Sequence, residues 1–478
     1  MIIGRIREQE NLRYAYNDEV SHFIAVYGRR RIGKTFLVRE TFNNNFTFQH
    51  TGLSNQGIKN QLAEFDASLK EYGLKDNEKS QSWLDAFRKL KKVIIESSDQ
   101  RKVIFIDELS WMDTPKSDLI SAIENFWNTF ASTRKDVVLI VCSSATSWII
   151  KKVLHNKGGL YNRLTDNIHL DSFSLLECEE YLSKRNVTLS RSQILELYMI
   201  FGGVPFYWSL IKKGLSVTQI VDDILFKRDA MLKDEFKYLY ASIFNRPEKY
   251  LVIVETLARK KVGMTREELI EKANLRNSGG LTDRLEELEK CGFIRKYNAF
   301  GMKKKNTLYQ LIDNFTLFYY KFMQDGVSDE HFWENQLNTP LINTWRGLSF
   351  ERVCLSHIRQ IKQALGISGV LTETNSWYCK PNKEEGINGS QIDLLIVRRD
   401  QIINLCEMKY ANTNYVVNKA LDESIRNKIN DLQLVTKTRY AIHPTLITTY
   451  GVVNNQYSSI IQSILTLDDL FKEIWCYS

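Results

Sequence analysis

Eight consecutive residues constrain this chain more than any others: Gly28-Arg29-Arg30-Arg31-Ile32-Gly33-Lys34-Thr35. Their spacing is G-x-x-x-x-G-K-(S/T). They follow a short apolar run, Phe23 to Tyr27, and lead into a helical stretch that starts at Phe36. A strand feeding a glycine loop and then a helix turns backbone N–H groups and the positive helix end toward phosphate oxygens. Gly28 and Gly33 permit the tight wrap, and Arg29, Arg30, Arg31, Ile32 and Phe36 fall along the same phosphate cradle. Lys34 is expected at the β and γ phosphates, and Thr35 is expected to offer its hydroxyl to Mg²⁺. A glycine turn with an incidental lysine is the rival reading, and the strand–loop–helix setting argues against it. The expected cofactors are therefore ATP and Mg²⁺.

A second apolar strand, Val103-Ile104-Phe105-Ile106, ends in Asp107-Glu108. An aspartate at such a tip would hold Mg²⁺ through water, and the adjacent glutamate would polarise the attacking water. These are the roles expected of Asp107 and Glu108. Val137 to Val141 runs into Cys142-Ser143-Ser144, where a polar residue could sense the γ-phosphate. Arg163, in Gly159-Leu160-Tyr161-Asn162-Arg163, could reach a phosphate of its own or of a neighbouring chain.

Around these motifs strands alternate with helices, which predicts a parallel sheet covered on both faces. The expected strands are Phe23 to Tyr27, Phe46 to Gln49, Lys102 to Ile106 and Val137 to Cys142, with a helix over Ile58 to Tyr72. A length of 478 residues suggests about three domains. Hydrophobic residues make up 43% and charged residues 26%, the balance of an ordinary globular protein. The seven cysteines are scattered and include no C-x-x-C pair, which argues against a disulfide framework or structural zinc and for a reducing cytoplasm. The N-terminus carries charges where a secretion signal would be apolar, and the apolar runs are too short to span a bilayer, so no membrane role is expected.

The chain resembles the archaeal-type ATPases of the signal-transducing P-loop clade, relatives of the AAA+ proteins. The likeness rests on Gly4-Arg5, the P-loop GRRRIGKT, the stretch IDELSWM from Ile106 to Met112, CSSATSW from Cys142 to Trp148, and GGVP from Gly202 to Pro205. It covers roughly the first half of the chain. It implies that Gly4, Arg5 and Pro205 lie on the adenine side of a bound nucleotide, with Pro205 carried by a helical lid. The local reading of Gly202-Gly203 is a helix C-cap ahead of a proline, and both can hold together.

A helical stretch from Leu175 to Leu239 precedes a compact pattern from Pro247 to Leu311 that reads as a winged helix-turn-helix. Between Arg246 and Gln310 there are 15 Lys/Arg against 9 Asp/Glu, so most of the net charge of +8 sits here. The expected recognition helix, Gly280 to Cys291, bears Asp283, Glu286, Glu287 and Glu289 against Arg284 and Lys290, and would be repelled by a major groove. The wing is different: Arg295, Lys296, Lys303, Lys304 and Lys305 are expected near its tip. The module is either a structural arm or a wing that grips phosphates without reading bases.

The last part opens with a helix expected from Trp345 to Leu365, carrying Glu351. Strands follow at Ser376 to Lys380, Ile392 to Arg398 and Ile402 to Lys409. Asp393 starts one of them, and Glu407-Met408-Lys409 ends the next. Alternation puts Glu407 and Lys409 on one face. A neighbouring strand can bring Asp393 there, so that two carboxylates and a backbone carbonyl hold a second Mg²⁺ or Mn²⁺, while Lys409 helps activate water or stabilise the charged transition state. This resembles the PD-(D/E)xK nuclease fold, with Ile392 where many members have proline, and a C-terminal domain often fused to archaeal-type ATPases. A degenerate or purely binding domain is the alternative.

The sequence therefore predicts an α/β protein. A P-loop NTPase parallel sheet occupies 1–174, a helical lid 175–244, a winged helix-turn-helix 245–311, a helical connector 312–344, and a restriction-endonuclease-like α/β domain 345–478. The expected partners are ATP, DNA through the basic wing and the C-terminal domain, and a possible second copy of the chain. A regulatory ATPase whose last domain binds without cutting is the rival function.

Overall fold

A computed structural model describes residues 2–474 except 156, 157, 159, 161, 245, 299, 302–306 and 338. The chain forms two compact units, Met1–Ser172 and Phe173–Ser478.

The first unit is built on five parallel strands: β1 (His22–Tyr27), β2 (Phe48–Thr51), β3 (Lys102–Asp107), β4 (Val137–Ser143) and β5 (Asp166–His169), in the spatial order β2-β3-β4-β1-β5. Every residue of β1, β3 and β4 is buried, the near-continuous apolar signature of a strand covered on both faces. The two-residue period sorts their side chains. Phe23, Ile104, Ile106, Leu139 and Val141 pack on one face with Leu62, Phe65, Leu90 and Ile123. These last four come from helices Ile58–Glu71, Trp83–Glu96 and Leu119–Thr129. Ile24, Val26, Val103, Phe105 and Ile140 pack on the other with Leu12 and Leu37, from helices Ile6–Asn17 and Lys34–Thr41. Each such buried side chain contributes about 1.5–3 kcal/mol.

The second expected strand sits two residues later than Phe46 to Gln49. The register with β3 sets it, pairing Phe48 with Ile104 and Thr51 with Asp107. Residues Phe46 and Thr47 enter as an extended lead, with Thr47 N–H on the Val103 carbonyl at 2.9 Å.

The second unit begins with helices Leu175–Lys184, Arg191–Phe201, Pro205–Ser209, Val217–Val221 and Glu235–Ala241. The segment expected as a connector packs among them. Asn314 donates to the Tyr198 carbonyl (2.9 Å), and the Thr316 and Tyr240 hydroxyls meet at 3.1 Å. At Gly203 a Cβ would lie 1.8 Å from the Phe173 carbonyl oxygen, so this glycine is required by close backbone approach.

Next come helices Glu248–Ala258, Arg266–Lys272 and Gly279–Lys290, with three short antiparallel strands, β6 (Met264–Thr265), β7 (Ile294–Tyr297) and β8 (Leu308–Leu311), in the order β6-β8-β7. Helix Gly279–Lys290 buries Leu281, Leu285 and Leu288. Lys303, Lys304 and Lys305 lie outside the described residues.

The C-terminal sheet has five strands. Its first three strands, β9 (Thr372–Tyr378), β10 (Gln391–Arg398) and β11 (Ile402–Lys409), form an antiparallel meander. A tiny parallel pair, β12 (Tyr415–Val416) and β14 (Val452–Val453), lies beside the main sheet. Helix Lys419–Thr436 then crosses over to β13 (Ala441–Thr448), which runs parallel to β11, and β15 (Ser463–Leu465) extends the parallel half. The helix expected over Trp345 to Leu365 is two helices, Pro340–Ser356 and Ile358–Ala364. They meet at His357, whose ring adds two contacts: Nδ1 lies 2.8 Å from the Val353 carbonyl, and Nε2 accepts the Leu175 N–H at 3.2 Å.

Candidate active site

In the first unit the P-loop joins β1 to helix Lys34–Thr41. Gly28 has φ +144°, and a Cβ there would lie 2.4 Å from the Leu170 carbonyl oxygen. Gly33, at φ +90°, is the N-cap of the helix. Arg31 holds φ 68°, so the loop spends left-handed conformations on curvature. Lys34 is buried, and its Nζ donates to the carbonyls of Gly28 and Arg29, both at 3.0 Å, inside the loop's own ring. Ile32 is buried in the core below the loop, Arg30 is half-buried, and Phe36 is exposed.

The Thr35 hydroxyl donates to Asp107 Oδ2 at 2.6 Å. A hydroxyl and a carboxylate this close, at a strand tip facing a P-loop, are the donor set that suits a small hard cation keeping several waters. Thr35 and Asp107 would hold Mg²⁺ here. Glu108 follows in a left-handed conformation (φ 47°), which turns its side chain away from the line of β3. Its carboxylate accepts from Ser144, from the backbone N–H at 3.1 Å and the hydroxyl at 2.8 Å. Ser143 donates to the Ser110 hydroxyl at 2.9 Å. The polar residue after β4 is therefore Ser144, tied to the glutamate expected to handle water. Nearby, Arg5 donates from its guanidinium to the Asp171 carbonyl, and Gly4 accepts from Gln9 at 2.9 Å. Arg163 is exposed, and Gly159 and Tyr161 of its motif lie outside the described residues. Pro205 belongs to the second unit, where it opens helix Pro205–Ser209.

In the second unit the other expected site residues fall into two ion-paired groups. Lys409 Nζ lies 2.8 Å from Glu407 Oε1, the shared face that alternation required, and Lys428 from helix Lys419–Thr436 takes Glu407 Oε2 at 2.7 Å. Burial pushes the Glu407 carboxyl up, but Lys428 and Lys409 outweigh it and hold it below its ordinary value. Asp393 is different. The pairing of β10 with β9 shifts register between Ile392 and Leu395, so the two-residue period does not carry through Asp393. Its partners are Lys261 Nζ at 3.4 Å and Gln391 Nε2 at 2.7 Å. Lys261 also lies 2.6 Å from Glu351 Oε2. Burial and then the Asp393 charge push the Glu351 carboxyl above the usual range.

Asp393 and Glu407 thus lie in separate ion-paired groups, and among the described residues they are not part of a set of three acid, histidine or cysteine side chains within metal-ligand reach of one another. The one such set is Asp222, His331 and Glu334. There the Asp222 oxygens already accept the N–H groups of Trp333 (2.8 Å) and Glu334 (3.2 Å), as a helix cap.

Arg295 was expected near the wing tip. Instead its Nε donates to Gln310 Oε1 at 2.6 Å, and its guanidinium lies 4.5 Å from the Tyr297 ring centre. Arg295, Arg352, Lys261, Glu351 and Asp393 line one small pocket, and a cleft of about 480 Å³ continues past Arg295, Tyr297 and Asp393. Burial lowers the Arg352 guanidinium to about 10. Sequence reasoning missed Lys261, and the only signal for it was the basic run Arg259-Lys260-Lys261 in a turn.

Residues 3–211 match the family described as an ATPase domain predominantly from Archaea. An uncharacterized protein of Methanocaldococcus jannaschii is 23% identical over 401 residues, covering 83% of this chain and 84% of that protein. Among solved structures, a Walker-type ATPase of Pyrococcus abyssi is 15% identical, with a TM-score of 0.49, covering 67% of this chain and 96% of its own. The ORC2 protein of Aeropyrum pernix, in its ADPNP and ADP complexes, is also 15% identical, with a TM-score of 0.43, covering 67% and 93%. The match to that family over residues 3–211 supports ATPase activity. Among the described residues no helix is long and apolar enough to cross a membrane.

Proposed function

We propose that the protein is an ATP-driven, Mg²⁺-dependent switch coupled to a metal-dependent nuclease. In this reading 1–174 is the P-loop core, 175–244 a helical lid, 245–311 a winged helix-turn-helix, 312–344 a connector and 345–478 a restriction-endonuclease-like domain acting on DNA. Lys34 binds the β and γ phosphates with the N–H groups of the loop. Thr35 and Asp107 hold Mg²⁺, and Glu108, released from Ser144, orients water. Gly4 and Arg5 take the adenine side.

The observation that supports the nuclease half is the link that Glu351 makes between two ion-paired groups, Glu351 and Asp393 on Lys261, and Glu407 on Lys409. Glu351 interacts electrostatically with both Asp393 and Lys409. Three acids and a lysine from a helix and two strands are the donor set of a metal-assisted phosphodiester hydrolysis. When bound, the second Mg²⁺ or Mn²⁺ would supply charge neutralisation and an activated water. Asp393, Glu407 and Glu351 would hold it, and Lys409 would stabilise developing charge on the phosphate.

The test is cleavage of linear, circular, branched and single-stranded DNA, and of RNA, with Mg²⁺ or Mn²⁺ and with or without ATP. Cutting by the wild type that is lost in Asp393→Ala supports the reading. ATP turnover without cutting of any substrate overturns its nuclease half. One observation favours the second reading, a regulatory ATPase whose C-terminal module binds without cleaving: each acid of the set is already ion-paired to a lysine.

A further inference from the structure

The ammonium group of Lys261 lies between the Glu351 and Asp393 carboxylates, at 2.6 Å and 3.4 Å. Lys261 does not belong to the module that supplies those acids. It lies in the turn between helix Glu248–Ala258 and β6, and that turn is fixed. Gln310 donates to the Lys261 carbonyl at 2.5 Å, and the Tyr297 hydroxyl donates to the Val262 carbonyl. Gly263, at φ +85°, closes the turn where a Cβ would lie 2.4 Å from the Tyr309 carbonyl oxygen. The sheet of the basic module thus presents this lysine in one place.

The same module contributes Arg295 to the pocket, so two acids face Lys261, Arg295 and Arg352. Two negative charges against three positive ones leave a pocket that repels a divalent cation. An ammonium held between two carboxylates also satisfies the oxygen atoms that a metal would need.

We infer that Lys261 is a built-in cation that holds the Glu351–Asp393 pair closed to metal, so that the C-terminal site is silent until the basic module withdraws. This rests on the metal-dependent reading proposed above. It accounts for the division of the acids into two lysine-bound groups. It also gives the basic module a role that needs no base reading: its position decides whether the second site can load a cation. A lysine that instead assisted catalysis would act in the opposite sense, because its removal would lower activity.

The experiment measures Mn²⁺ binding by calorimetry and electron paramagnetic resonance. It uses the full chain as wild type, Lys261→Met and the double variant Lys261→Met with Asp393→Asn. Methionine keeps the unbranched stem of the side chain and removes the ammonium, and thermal melts check that each variant is folded. Lys261→Gln serves as a second neutral replacement. The expected result is at least about tenfold tighter Mn²⁺ binding in Lys261→Met than in wild type, since removing one neighbouring cation changes a coupled binding by that order. The gain should disappear in the double variant, and nucleic-acid cleavage should rise with metal affinity. Tight and equal binding by wild type and Lys261→Met would overturn the lock and leave the metal site standing. Absence of binding in every variant would overturn the metal reading and the lock together. A fall in cleavage in Lys261→Met at unchanged Mn²⁺ affinity would overturn the lock in favour of a catalytic lysine.

Discussion

His357 breaks what would otherwise be one long helix, and its environment fixes its charge. The ring is buried, Nε2 accepts the Leu175 N–H, and burial lowers its pKa from 6.5 to about 4. The native state therefore binds fewer protons than the unfolded chain between these values. The stabilising contribution is complete above pH 6.5 and is lost as pH falls toward 4. A shift of that size is worth about 3 kcal/mol in all at 1.36 kcal/mol per unit, and about 2 kcal/mol is lost by pH 5. The assay is hydrogen exchange of peptides from helices Pro340–Ser356 and Leu175–Lys184 at pH 7 and pH 5, with exchange rates corrected for pH. Wild type should lose about 2 kcal/mol of protection more than His357→Gln over that interval, although the variant starts less stable. Parallel losses in the two proteins would refute the neutral, hydrogen-bonded histidine.

Other outcomes follow from the same contacts. Lys34→Ala removes the charge at the centre of the P-loop and should abolish ATP binding by calorimetry while the melt is retained; unchanged turnover would remove Lys34 from the site. Glu108→Gln keeps a side chain that can hydrogen-bond to Ser144 but cannot polarise water, so ATP should bind and remain intact in a single-turnover assay, and rapid hydrolysis would contradict the role given to Glu108. Gly203→Ala would force a methyl group to 1.8 Å from the Phe173 carbonyl. It should destabilise the second unit by about 3 kcal/mol or more in urea titrations, the scale of a strained backbone site, and a change below about 0.5 kcal/mol would show that the close approach relaxes freely.

Much of the first unit was legible because its signals are local. A P-loop needs eight contiguous residues, and the acids at the end of β3 follow a strand whose every residue is apolar or buried. Those features need no knowledge of distant parts of the chain. The break at His357 was not legible, and its ring meets a residue, Leu175, 182 positions away. Strand β2 began two residues late because its register is set by β3, not by its own composition.

The C-terminal site divides in the same way. The sequence by itself determined that Glu407 and Lys409 share a face, since that follows from the two-residue period of a strand. It also determined which residue types were available to meet phosphates and metals. Only the tertiary structure decided that Asp393 sits at a register shift, that Arg295 turns inward, and that a turn lysine far upstream occupies the space between two acids. Period and motif describe a chain's near neighbours along one element. Ion pairs between elements depend on where whole modules dock, which is set by the summed burial of many side chains and is written in no single stretch of sequence.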